Sequence, residues 1–176
     1  MSNSEDRYSK HFDTIDDLLS LSKDTQMQIV EPLRRRIDVN AAGRLRTGED
    51  FIYRATFLRI FDETPICLVR VSLPMHIGAA LSTLPELDHG NRSATTFIGL
   101  IESKLEIPIA EARQNISATV ADSAMAADLK CNVGDPLLLI DRLYFDSSGT
   151  PVELAVSYIN PELYSHQTVM RRNGSF

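Results

Sequence analysis

The 176 residues include 43% hydrophobic side chains, enough for one sizeable core, and 24 acidic against 18 basic residues give a net charge of −6. The only basic cluster, Arg34-Arg35-Arg36, is too short to form a broad electrostatic footprint for nucleic acid. Two distant cysteines without a CxxC pair argue against a redox or metal role; no charged-then-apolar leader and no run of 18 apolar residues predict a soluble, cytoplasmic protein.

The opening residues are polar, and residues 1–12 are expected to be a flexible segment ahead of one domain over 13–176. In FDTIDDLLSLS, Thr14 with Asp17 three positions on has the form of a capping box, followed by an apolar stripe of Ile15, Leu18 and Leu19, which predicts a short helix. QMQIVEPLRR predicts a strand in which Pro32 marks an edge or a bulge. Asp38 caps a one- or two-turn helix in DVNAAGRL. FIYRATFLRIF and PICLVRVSLP, separated by an acidic turn, predict a hairpin.

After Pro74, MHIGAALSTL predicts a short helix, and PELDHGNRS a polar loop. TTFIGLIESKL places Phe97, Leu100, Ile101 and Leu105 at helical spacing behind Thr95 and Thr96. EARQNISATV reads as a strand, DSAMAADL as a short helix, and PLLLIDRLYFDSSGTPVELAVSYINP as a second hairpin. The order short helix, Gly, strand, acidic turn with Pro, strand occurs twice. Two such units can pair their strands into one antiparallel sheet with the helix at 95–106 on one face, so the fold class is α+β.

The segments GDPLLLIDRLYFD and GTPVELAVSYINPELY resemble the UTRA domain, the effector-binding module of the HutC branch of GntR transcription regulators; the resemblance spans residues 13 to 172. It implies a chorismate-lyase-like fold, an antiparallel sheet flanked by short helices. It also implies a non-enzymatic module that binds a small anionic metabolite, such as a sugar phosphate or carboxylate, without a cofactor or metal, and forms a homodimer. DNA would be read by a winged helix-turn-helix, for which residues 1–40 are too short. Two alternatives are a small lyase of the chorismate-lyase type, disfavoured because Val156 stands where that family has an acid, and a stand-alone partner of a full-length regulator.

By the same resemblance, Arg59 in FLRIFDETP falls on a family arginine, and Phe57 stands where a second is found; a guanidinium on a sheet can clasp an anion in bidentate fashion. Ser93, Thr95 and Thr96 precede the strongest helix, whose free N–H groups suit an anion, although Thr95 could simply cap it. Strand alternation groups Arg142 with Tyr144, and Glu153 with Ala155 and Ser157. Glu153 among small residues is expected to face the ligand. Arg142 either supports it or pairs with it across the hairpin, and Tyr158 completes the candidate set. Arg70 is expected to be an outward charge.

Overall fold

The computed structural model describes residues 8–170. Its centre is two hairpins, β3 (Phe51–Phe61) with β4 (Thr64–Leu73) and β7 (Pro136–Asp146) with β8 (Pro151–Ile159). Their second strands pair antiparallel with Val69 opposite Ser157, which joins the two predicted units into one sheet. On one side β2 (Gln26–Ile37) flanks β3 and the short β5 (Arg92–Ser93) flanks β2; on the other, β6 (Ile109–Val120) lies beside β7. The order is β5-β2-β3-β4-β8-β7-β6. Register shifts in β2 fall between Ile29 and Arg34, around Pro32, where the missing N–H makes an irregularity cheap.

Each hairpin is preceded by a capped helix on the same face of the sheet. In α3 (Val39–Arg44) the Asp38 side chain accepts from the Ala41 N–H, and in α6 (Ser123–Leu129) Asp122 accepts from Met125. Ala41, Ala42 and Leu45 pack on Ile52 and Leu154, while Met125, Ala126 and Leu129 pack on Leu58, Leu68 and Leu137.

The opposite face carries the main core, under α4 (Met75–Leu81) and α5 (Phe97–Leu105), which buries Phe97, Ile98, Leu100 and Ile101. A Cβ on Gly78 would lie 2.2 Å from the Tyr53 Cβ, so α4 sits at a distance from β3 that only glycine permits. The predicted first helix divides at Ser20 into α1 (Ile15–Leu19), with the Thr14–Asp17 capping box formed, and α2 (Leu21–Asp24).

One expectation is corrected. Residues 8–11, read as loose, form β1 (Tyr8–His11), which pairs parallel with β9 (Tyr164–Gln167). Tyr8 buries its ring 4.8 Å from that of Phe61 and 5.5 Å from that of Tyr164, partners more than fifty residues away that local periodicity does not reveal. Residues 1–7 of the same segment lie outside the described residues.

Candidate ligand-binding site

Beneath α5 the middle of the sheet is floored by short side chains. Alternation turns Cys67 and Val69 of β4 and Ala155 and Ser157 of β8 to one side, and these four floor a cleft. Phe57 and Arg59 of β3, Arg142 and Tyr144 of β7 and Glu153 of β8 ring it. The start of α5, Leu18 and Leu21 from the N-terminal helices and Tyr164 of β9 complete the walls. The cleft measures about 640 Å³ including its open mouth, and the centre of a water molecule can range over about 70 Å³ of it. The enclosed part has room for roughly five waters.

Two bulges shape the polar rim. Arg59 lies opposite Cys67 while Ile60 lies opposite Pro65, so Ile66 is an extra residue in β4. Tyr144 lies opposite Glu153 and Phe145 opposite Pro151, which makes Val152 extra in β8. A bulge bends its strand and lets successive residues turn inward. Ile66 and Cys67 accordingly both line the cleft, and Val152 and Glu153 are both buried.

Arg59 and Arg142 are 6% and 7% exposed, yet neither forms an ion pair with a carboxylate of the described residues. Arg59 Nη1 donates to the Thr95 carbonyl at 2.9 Å, and Arg142 Nε donates to Gln114 Oε1 at 2.5 Å. More exposed arginines are paired: Arg44 donates two bonds to Asp141 at 2.5 and 2.6 Å, and Arg54 is bound by Asp38.

Glu153 is 4% exposed, and its Oε2 has no hydrogen-bond partner among the described residues. Burial pushes its carboxyl up to about 8, against the pull of Arg142 and Arg59, so the group is mostly neutral at physiological pH. Burial draws Arg59 down to about 10, which leaves it charged. The same desolvation raises the Tyr144 phenol and the Cys67 thiol to about 12, so neither supplies a negative charge. The cleft is therefore net positive.

Of the candidate residues, Arg59, Thr96, Arg142 and Glu153 meet in this cleft. Thr95 contributes its carbonyl to Arg59, and the cap of α5 is Thr96, whose Oγ1 accepts from the Gly99 N–H at 3.0 Å. Ser93 lies on β5, away from the cleft lining. Tyr158 is corrected. Lying between the in-facing Ser157 and Ile159, it faces the other side, where it packs with the α6 cluster and its hydroxyl accepts from Arg70 at 3.3 Å. The cross-strand pairing of Arg142 with Glu153 is not formed either: Arg142 stands opposite Ala155, and Glu153 opposite Tyr144. Cys67, Tyr164 and Leu18 were not legible as cleft residues, because each depends on a register or a chain return with no local signal.

The model of the UTRA domain matches residues 20–165. The chain belongs to the UTRA domain family. It is 31% identical over 110 residues to the HTH-type transcriptional regulator Rv0792c of Mycobacterium tuberculosis, a match covering 62% of this chain and 40% of that protein. The chain thus spans well under half the length of this curated relative. The effector domain of PhnF from Mycobacterium smegmatis superposes with a TM-score of 0.77 at 17% identity, covering 94% of this chain and 100% of that one. A ligand-binding domain from Bordetella bronchiseptica assigned to the GntR family of transcriptional regulators superposes with a TM-score of 0.72 at 20% identity, covering 84% and 91%. This UTRA domain therefore has the fold of GntR-family effector domains, the α+β arrangement expected from the sequence. Among the described residues no helix is long and apolar enough to cross a membrane, and no three His, Cys, Asp or Glu side chains are grouped to hold a metal ion.

Proposed function

We propose that this UTRA domain senses a small anionic metabolite in the cleft formed by Arg59, Arg142, Glu153 and the start of α5, as part of a GntR-type regulator of the HutC branch. The observation that carries the reading is the pair of buried guanidiniums without carboxylate partners. A buried unpaired charge costs several kcal/mol, and an anion bound between these two groups offsets that cost. The Phe97 and Ile98 amides open α5 on the same wall, where backbone N–H groups and the helix dipole favour negative charge. The protein acts by binding and not by catalysis, in the cytoplasm, and meets DNA through a winged-helix domain outside these residues.

A thermal-shift screen of sugar phosphates, carboxylates, amino acids and their neutral analogues tests the reading. At 100 times its dissociation constant a ligand stabilises the native state by roughly 2.7 kcal/mol. At least one anion is expected to raise the melting temperature while its neutral analogue does not. Equal responses to both, or to neither across the panel, would sink the proposal.

The same reading includes a homodimer. Among the described residues the 12-residue edge strand β6 pairs with β7 alone, and alternation gives it a largely apolar row of Ala112, Gln114, Ile116, Ala118 and Val120, of which Ile116 and Val120 are 50% and 60% exposed. A long edge strand with an uncovered apolar face is a template for a second strand. The partner that fits is another β6. Ile116→Lys is expected to convert a dimer into a monomer in sedimentation velocity, with an unchanged circular dichroism spectrum. A monomeric parent protein would refute this part of the proposal.

A further inference from the structure

Arg142 is held from a direction that the cleft itself does not supply. Its Nε donates to Oε1 of Gln114, the residue directly opposite on β6. With that oxygen engaged, the Gln114 Nε2 faces the Nε2 of His166 on β9 at 3.3 Å. An amide nitrogen only donates, so His166 Nε2 must accept, which places the imidazole proton on Nδ1. That Nδ1 is buried and has no partner among the described residues. The His166 ring stacks on Phe12, centroids 5.1 Å apart and planes 8° apart, and the Arg142 Cζ lies 5.6 Å from the same Phe12 centroid.

The geometry has a chemical use. A guanidinium can present a fork through its two terminal amines or through one edge that includes Nε. Spending Nε on Gln114 fixes the plane of the group and leaves the terminal fork for the cleft, which Arg142 lines. Nothing else among the described residues restrains it by an ion pair.

We infer that Gln114 and His166 are positioning residues: they orient Arg142 toward the cleft through the chain Arg142–Gln114–His166, backed by Phe12. The inference rests on the proposed ligand site, and its test separates the two. Gln114 is exposed in the single chain, so its substitutions are expected to leave the fold of the domain intact.

In the 15N-labelled protein, the Arg142 Nε–H resonance is expected to exchange slowly with water. Long-range 1H–15N spectra should show the His166 proton on Nδ1. In Gln114→Ala the Nε–H signal exchanges rapidly and inorganic phosphate, used as the probe anion, binds roughly tenfold more weakly. In Gln114→Glu the Nε–H protection returns, because a carboxylate accepts the same bond, and His166 moves a proton onto Nε2 to donate to it. An Nε–H signal identical in the parent and Gln114→Ala, or a parent His166 protonated on Nε2, overturns the inference. If the parent binds no phosphate, the anion-site reading is weakened, while the Nε–H and tautomer signals still decide the positioning role.

Discussion

Replacing Glu153 by glutamine is expected to make the protein more resistant to urea at about pH 9 while changing little at about pH 5. The folded-state pKa of Glu153 is raised from the ordinary 4.5 to about 8 by burial. A raised value means that the folded protein binds the proton more tightly than the unfolded chain does. The group's contribution is thus complete below about pH 4.5 and is lost progressively as the pH rises through 8. Over that window the loss is on the order of a few kcal/mol, since each pKa unit corresponds to about 1.4 kcal/mol. Glutamine keeps the shape, carries no titrating proton and escapes the loss. Urea midpoints of parent and variant at several pH values give the difference directly. Parallel curves would show that Glu153 is ionised and satisfied throughout.

The second large effect concerns Arg59. Arg59→Met is expected to fold, because a long apolar side chain of similar reach replaces a buried charge that no carboxylate balances, an exchange that is often neutral or stabilising. It should abolish the thermal response to any anion that stabilises the parent. The roughly 2.7 kcal/mol lost corresponds to about 5–10 °C in melting temperature for a domain of this size. Removing the guanidinium also removes one of the two charges that lower the Glu153 pKa, so Glu153 should titrate above 8 in this variant. A persistent anion response in Arg59→Met would place the ligand elsewhere. Arg59→Lys, which keeps the charge but not the fork, should retain part of the response and so separates charge from geometry.

Both hairpins, their pairing and α5 were legible because alternation, acidic turns and helical spacing are local signals. Arg59 and Glu153 were legible in part: alternation placed Glu153 with Ala155 and Ser157 on one face, and family resemblance marked Arg59. Register was not legible, and a shift of one or two residues decides who faces whom. The bulge at Val152 sets Glu153 against Tyr144, where an unbulged hairpin would set it against Leu143, and in neither register does it stand opposite Arg142. Tyr158 does not line the cleft, because strand alternation sets it with Leu154 and Val156 on the face opposite Ala155 and Ser157. Tyr8 and Phe12 illustrate the third limit, since a polar-looking terminus gains its structure only from a strand that ends the domain.

The two bulges described above occupy matching places in the two hairpins: Pro65, Ile66 and Cys67 in one, Pro151, Val152 and Glu153 in the other. Cys67 and Glu153 are thus counterparts in a duplicated plan, and the copies have diverged in chemistry while keeping the backbone device. One copy presents a sulfur beside Arg59, and the other presents an acid beside Tyr144. Arg59 and Glu153 come from different halves, so a ligand that touched both at the proposed site would bridge the β4–β8 seam.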